Sequence, residues 1–369
     1  MVEQCAENKS KTTSGNRNYA LDFLKLLFTV LVVFCHTDLF INENTSLRIP
    51  YGLGFWSVHF FFMVSGMLMA NSLMKSDKTD TPGKDAMAFI KNKFSLISAQ
   101  YWTALFIAFV TVLVIYVKKG LRIMELFERI VPEMFLITYS GVDTLEVNPQ
   151  TWYLSAMFIG LLPLSYMMLK NRDFFVNVFA PLFGLLSYGY IFMTFPEKGS
   201  YPQPNELSGV VLHGVLRALC FLCLGVVAYS MAMKFREKFI TKKQCITLTI
   251  LEVALYIWIF VVWFTPEQSV KSLFSVMLLL PVAIAITFSG KSYTNNLFKA
   301  KWMKYLAPLS LMIYLNHFAG RKIVQYLIKG LSYKESVAIM LGFTVLFCIV
   351  YAVILKVWRY ILKTNRPIG

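Results

Sequence analysis

The first long apolar stretch of the chain, residues 19–40, carries Asp22, Lys25 and His36. Lys25 and His36 are eleven positions apart, close to a whole number of helical turns, so a helix places them on one face with Asp22. The rise between Lys25 and His36 is about 16 Å. Because charges in a spanning helix are costly and usually face a protein interior or a water-filled cavity, this helix is predicted to form one wall of a path between the membrane faces.

The four histidines of the sequence, His36, His59, His213 and His317, all fall in apolar stretches. With the N-terminus in the cytoplasm, each is predicted to lie in the outer half of the membrane. Arg217 follows His213 by four positions and so shares its helix face. A single histidine of this kind is usually a hydrogen-bonded packing residue. Four at a common depth beside an arginine indicate a polar cavity open to the outside, with imidazole as a general base.

Basic residues also mark the opposite end of the predicted path. Lys91 and Lys93 stand where the third apolar stretch begins. Anchoring at the cytoplasmic face explains them, and a dock for a polyanion such as a nucleotide-bearing cofactor is the functional alternative. Lys25 lies at a similar depth and either extends that dock or pairs with Asp22, three positions earlier.

Two aromatic or polar patches complete the candidate residues. Trp152 and Tyr153 open the fourth apolar stretch, a position typical of an aromatic belt. Tyr314 and Asn316 belong to the most polar patch of the ninth stretch. The sequence contains no Walker loop and no His, Cys and Asp cluster at metal-ligand spacing, so ATP hydrolysis and a structural metal are unsupported.

The composition is that of a membrane protein. The 369 residues are 57% hydrophobic and 15% charged, against about 25% charged in soluble domains. The predicted fold is an all-α polytopic membrane protein of about ten transmembrane helices. A stretch with interspersed charges, 121–138, is predicted to be an interfacial or re-entrant amphipathic helix. The predicted spans are 19–40, 52–74, 94–117, 152–169, 174–194, 209–233, 246–264, 272–289, 303–328 and 337–360.

The distribution of basic residues predicts the orientation. Most of the 36 Lys and Arg residues fall in segments on the same side as the N-terminus, which places both termini in the cytoplasm. The net charge of +16 therefore reflects membrane topology and does not indicate nucleic acid. The predicted organisation is a disordered cytoplasmic tail (1–18), one transmembrane domain (19–360) and a cytoplasmic C-terminal tail (361–369).

The order and spacing of these motifs resemble the acyltransferase-3 family of integral membrane acyltransferases. Lysine stands at 25 where the family has arginine, and Leu96 and Ala99 replace an arginine and a proline of the family's Arg-x-x-Arg-x-x-Pro motif, in which Lys93 matches the first arginine. The resemblance covers about 18–358 and rests on six matches: Leu21 to Lys25 followed by His36, Phe61 to Gly66, Lys93, Trp152 to Leu154, Arg217 with Phe221 and Gly225, and Tyr314, Leu315 and His317.

The resemblance implies an O-acyltransferase of the plasma (inner) membrane that uses cytoplasmic acyl-CoA, usually acetyl-CoA. The implied acceptor is a hydroxyl of a cell-envelope polysaccharide or lipid-linked glycan. His36 would deprotonate the hydroxyl or carry the acyl group. The implied catalytic set is His36, Asp22, Arg217 and His317. The implied acyl-CoA site is Lys25, Lys91 and Lys93. The implied acceptor site is His59, Trp152, Tyr153, His213, Tyr314 and Asn316.

Two alternatives stay open from the sequence. Buried Lys, Arg and His side chains could instead line the permeation path of a transporter or flippase for a polar envelope precursor. The departures at Lys25, Leu96 and Ala99 also allow a pseudo-enzyme of the same fold. Neither the acceptor sugar nor the oligomeric state follows from the sequence.

Overall fold

A computed structural model describes residues 18–37, 40, 52–142, 147–194, 203–239, 241–265, 270–298 and 300–364. All of the predicted N-terminal tail except residue 18 lies outside these residues, as does 365–369 of the predicted C-terminal tail. The described part is all-α apart from a two-stranded hairpin, β1 (Leu207–Ser208) and β2 (Val211–Leu212). The main helices are α1 (Tyr19–Cys35), α2 (Gly52–Leu73), α3 (Pro82–Lys119), α4 (Ile123–Met134), α5 (Trp152–Lys170), α6 (Arg172–Met193), α7 (His213–Lys238), α8 (Lys242–Phe264), α9 (Val270–Ser289), α10 (Leu306–Leu327) and α11 (Tyr333–Thr364).

Each of the ten predicted spans overlaps one of these helices. Among the described residues, six helices are long and apolar enough to cross a membrane: α3, α5, α6, α7, α8 and α11. The first helix is shorter than the predicted span 19–40, because it has 17 residues and ends at Cys35. In α9 the apolar part is likewise short, Phe274–Ser289. The structure thus shows the helical fold and several helices that are long and apolar enough to span a membrane. The number of ten spans and the orientation stay predictions.

The predicted amphipathic segment 121–138 contains a short helix, α4. Its 12 residues span about 18 Å, which is less than the roughly 30 Å of a bilayer core. Apolar side chains such as Phe127 and Val131 are exposed along it. The helix is fastened to α3 by the hydroxyl of Tyr101, which donates to the carbonyl of Glu133. Length and exposure fit the predicted interfacial helix.

One group of helices packs around α7. Of the most apolar 18 residues of α7, 72% are buried, compared with 28% in α8 and 22% in α11. Its neighbours are α2, α5, α6 and α9. Two glycines let α7 and α2 touch backbone to backbone. A Cβ atom on Gly66 would lie 2.0 Å from the carbonyl oxygen of Leu222, and one on Gly225 would lie 2.0 Å from that of Met63. The matched segment Phe61 to Gly66 therefore ends in a helix-packing notch.

A second group of helices packs around α10, with α1, α3 and α11 as its neighbours. The hydroxyls of Thr29 in α1 and Ser310 in α10 are 2.7 Å apart. The two groups are joined where Phe28 of α1 stacks on Phe60 of α2, with ring centroids 4.0 Å apart. The main core thus runs through both groups, and a smaller cluster of Val33, Val324 and Met340 lies between α1, α10 and α11.

Candidate functional site

The α10 cluster comprises His36, His317, Phe318 and Arg321. His36 follows the last residue of α1, and the other three project from α10. The rings of His36 and His317 are 5.3 Å apart and nearly parallel, and the ring of Phe318 lies edge-on at 5.4 Å from His36. Arg321 approaches His36 with 3.5 Å between Nη1 and Nδ1. His36 is half-buried and His317 is fully buried.

Hydrogen-bond partners determine where the two imidazoles hold their protons. Nδ1 of His317 lies 2.8 Å from the carbonyl oxygen of Tyr314. Because a carbonyl only accepts, this nitrogen carries the proton of the neutral ring and Nε2 keeps a lone pair. A guanidinium only donates, so Arg321 leaves the lone pair of His36 on Nδ1 and the proton on Nε2. The pair thus offers one acceptor nitrogen and one N–H donor.

The α7 cluster comprises His59, His213, Arg217 and Trp152. Arg217 is fully buried, donates from Nε to Nε2 of His59 at 3.2 Å, and lies with its guanidinium carbon 5.0 Å from the Trp152 ring. His59 stacks on Phe221 at 3.9 Å. His213 begins α7 and its Nδ1 is 2.7 Å from the hydroxyl of Ser208 in β1.

The four histidines are therefore divided between two clusters. The sequence predicts instead that they share a single polar cavity. Aromatic side chains bridge the clusters: Tyr153 lies 4.6 Å from Phe62 and 6.0 Å from Tyr314, whose ring is 6.1 Å from His317. Two cavities of about 330 and 260 Å³ occur beside α3 and α10, and no histidine lines either of them.

A polar segment, residues 147–151, holds α10 in place and leads into Trp152. The amides of Val147 and Asn148 donate to the carboxylate of Glu133 at 2.7 and 2.9 Å. The side-chain amides of Asn148 and Gln150 both donate to the carbonyl of Leu315 in α10. Burial raises the pKa of Glu133 to about 7, against the opposing pull of the two backbone donors and of the Lys322 charge. The segment therefore couples the interfacial helix α4 to the α10 cluster.

Two predicted cofactor-site lysines come together at the far end of α1. Nζ of Lys25 is 3.4 Å from Oδ1 of Asp22. Lys93, half-buried in α3, is close enough to Lys25 for their charges to repel each other. Lys91 is exposed. A cationic site of two lysines at this end fits the phosphates of a nucleotide-bearing ligand, and Asp22 partly neutralises it.

Several predicted roles change in the light of these contacts. Asp22 is predicted to belong to the catalytic set with His36, but 14 residues of helix separate them by about 21 Å, and Asp22 pairs with Lys25 instead. Arg217 is predicted to serve the same set, yet it contacts His59, and the guanidinium that reaches His36 is that of Arg321.

The predicted path along α1 also differs from the structure. Thr29, between Lys25 and His36, is fully buried against Ser310 of α10. The side of α1 that is predicted to line a path is therefore covered by α10.

Three other predicted acceptor-site residues lie among or beside the aromatic side chains that connect the two clusters. Tyr153 is buried and its hydroxyl is 3.1 Å from that of Ser65. Tyr314 donates to the carbonyl of Gln150. Asn316 is fully buried and donates to the carbonyl of Met312, one turn earlier in its own helix.

Sequence reasoning missed Arg321 and Glu133. The signal for Arg321 was present, because it follows His317 by four positions, as Arg217 follows His213. Nothing comparable marks Glu133, whose partners at 147–151 lie in the next segment of the chain. Among the described residues there is no group of three His, Cys, Asp or Glu side chains that could hold a metal ion.

Taken together, the apolar helices and the buried histidine–arginine clusters define a polytopic membrane protein with a polar site inside its helix bundle. The acyltransferase-domain profile of the acyltransferase-3 family matches residues 18–358. This chain therefore belongs to the acyltransferase-3 family, and its general class is that of a membrane acyltransferase. Searches of curated proteins and of solved structures gave no match.

Proposed function

We propose that this protein transfers an acetyl or other short acyl group from cytoplasmic acyl-CoA to a hydroxyl of a cell-envelope polysaccharide or lipid-linked glycan. The plasma membrane is the proposed location, with both termini in the cytoplasm. The observation that carries the proposal is the stacked pair His36–His317 at one end of α1, with Lys25 and Lys93 at the other end. The lysines would bind the phosphates of CoA, and the histidines would act on the acceptor.

The proton positions suit a direct transfer. Nε2 of His317 takes the proton of the acceptor hydroxyl as its oxygen attacks the carbonyl carbon of the thioester. The carbon–sulfur bond then breaks, and the CoA thiolate leaves with a proton supplied through the pair. Nε2–H of His36 donates to the carbonyl oxygen, where negative charge develops, and Arg321 holds His36 in the tautomer that this requires. Relative to the sequence-based assignment, the base is His317 and the donor is His36.

The packing of α1 sets a condition on donor binding. The contact between Thr29 and Ser310 covers the direct line from Lys25 to His36. For the thioester to reach the histidine pair, α1 and α10 must separate locally at this contact. A polar contact of two hydroxyls is weak enough for this, since a net hydrogen bond contributes only about 1 kcal/mol.

Membrane vesicles with acyl-labelled acetyl-CoA and the envelope glycan of the host provide the test. His36→Ala and His317→Ala should each lower the formation of base-labile ester on the glycan by about 10²–10⁴-fold, the usual contribution of positioned acid–base catalysis. Protein amounts are matched by size-exclusion chromatography of the solubilised variants.

His213→Asn is the matched histidine control and should lose less than about tenfold, because its imidazole lies in the α7 cluster. Ester formation at wild-type rates by either His36→Ala or His317→Ala would contradict the proposal. A wild-type protein that forms no labelled ester from any acyl-CoA would favour the pseudo-enzyme or transporter alternatives.

A further inference from the structure

A basic cavity of about 260 Å³ lies at the end of α3 that is remote from Lys93. The 26 residues from Lys93 to Lys119 span about 39 Å of helix, more than the roughly 30 Å of a bilayer core. The cavity therefore opens at the opposite end of the bundle from the lysines proposed to bind CoA. Its walls come from α3, α4 and α10, with Leu121 and Val147 from the connecting segments.

Three cations line this cavity, each from a different helix: Lys119 of α3, Arg129 of α4 and Lys322 of α10. Nζ of Lys119 lies 4.0 Å from the ring centroid of Tyr326 and makes no ion pair with any residue that the structure describes. Arg129 donates to the hydroxyl of Tyr116 at 3.1 Å. Lys322 donates to the carbonyl of Val147 at 2.7 Å.

Two carboxylates offset part of this charge. Glu125 lies 3.8 Å from Arg129 on the partly exposed surface of α4. Glu133 interacts with Lys322 but is buried against the amides of Val147 and Asn148. Neither carboxylate residue lines the cavity. The charged residues that line the cavity are therefore all cationic, and the rest of its lining is aliphatic or tyrosine.

The cavity adjoins the α10 cluster. Nζ of Lys322 is 5.7 Å from the ring centroid of Phe318, and that ring is 5.4 Å from His36. One aromatic side chain thus separates a cation of the cavity from the histidine pair. A molecule with a charged group in the cavity could place a neighbouring hydroxyl at His36.

We propose that this cavity binds an anionic group, a phosphate or carboxylate, of the acceptor. The inference rests on the proposed function and deepens it: the acceptor is an acidic or phosphate-bearing glycan rather than a neutral one. The volume is just below that of small-molecule pockets, which run from about 300 Å³. It therefore suits one charged group and not a whole oligosaccharide. Lysine and arginine are the side chains best suited to such anions.

The first test measures binding without any transfer reaction. Inorganic pyrophosphate is added to the purified protein in phosphatidylcholine nanodiscs at low salt, and the melting temperature Tm is recorded. The wild type should gain about 2–4 °C, and Lys119→Gln and Arg129→Gln should lose most of that gain. Lys118→Gln is the matched control, because it removes the same charge from the adjacent residue, whose Nζ donates to the carbonyl of Leu327 outside the cavity.

The second test identifies the source of the anion. For transfer to the envelope glycan, Lys119→Gln should raise the acceptor KM by about tenfold or more, with the acyl-CoA KM unchanged and with Lys118→Gln near wild type.

Equal responses of Lys118→Gln and Lys119→Gln in either test would overturn the inference. A second contrary result is that phosphatidylglycerol in the nanodiscs abolishes the pyrophosphate effect on Tm while Lys119→Gln leaves the acceptor KM unchanged. That result would assign the cavity to a phospholipid headgroup and would overturn the inference. If the protein has no transferase activity, the thermal shift still reports on the cavity, so failure of the proposed function is distinguishable.

Discussion

The helices around α7 and the helices around α10 use the same local motif in different ways. Each central helix carries a histidine followed four residues later by an arginine, His213 with Arg217 and His317 with Arg321. In the α7 cluster the arginine is fully buried and is engaged by His59 and Trp152. In the α10 cluster the arginine reaches a half-buried histidine at the end of another helix.

The difference between the two clusters lies in their surroundings. Gly66 and Gly225 bring α2 and α7 into backbone contact beside the α7 cluster, so this region has little room to move. The α10 cluster is bounded by the Thr29–Ser310 hydroxyl contact and by the end of α1. We infer that the α7 cluster holds the bundle together and that the α10 cluster carries out the reaction.

The largest expected effect comes from locking α1 to α10. The hydroxyl oxygens of Thr29 and Ser310 are 2.7 Å apart, so the pair Thr29→Cys and Ser310→Cys is placed to form a disulfide. Oxidation should abolish nearly all acyl transfer, because the thioester could no longer pass between the helices, and reduction should restore it. The single-cysteine variants under the same oxidant are the controls. Full activity of the cross-linked protein would show that donor access does not require this contact to open.

The two arginines provide the next comparison. Arg217→Ala should lower the Tm and the yield of folded protein, because it removes a fully buried side chain, and large-to-small changes in a core cost about 2–5 kcal/mol. Arg321 is also buried, at 9% exposure, so Arg321→Ala should lower the Tm as well. It alone should lower the kcat of the folded protein by roughly ten- to hundredfold, since acid–base catalysis as a whole contributes 10²–10⁴-fold. Thermal unfolding and labelled acyl transfer are measured for both. The reverse pattern would exchange the roles that we assign to the two clusters.

The smallest effect concerns Glu133, which anchors the segment between the clusters. Its pKa of about 7 in the folded protein exceeds the ordinary value of 4.5. The folded state therefore binds this proton more tightly than the unfolded state, and the associated stabilisation is complete below about pH 4.5 and is lost as the pH rises through about 7. The loss is on the order of 3 kcal/mol.

Glu133→Gln cannot titrate, so its Tm should fall less than that of the wild type between about pH 4.5 and 8. Thermal unfolding in nanodiscs across this range measures the difference. Parallel Tm curves for the two proteins would mean that the carboxyl does not change its protonation in the folded state.

How far the sequence predicts this structure depends on the range of the contacts involved. Helix positions follow from apolar runs of about 20 residues, because a bilayer core of fixed thickness requires them. The Asp22–Lys25 pair follows from helical spacing alone, since residues three apart share a face. The packing role of Gly66 follows from its small size among apolar neighbours.

Other features depend on which helices become neighbours. The partners of Glu133 at Val147 and Asn148, and the covering of Thr29 by Ser310, join residues from different parts of the chain. No periodicity in one segment reports on such contacts.

The sequence by itself determined a helical membrane protein of the acyltransferase-3 family with buried histidines and arginines. Only the tertiary structure decided that these residues form two clusters, and that Arg321 rather than Arg217 reaches His36. The physical reason is that hydrophobicity and helical period act within each helix, whereas the pairing of imidazole and guanidinium groups depends on how separate helices pack against one another.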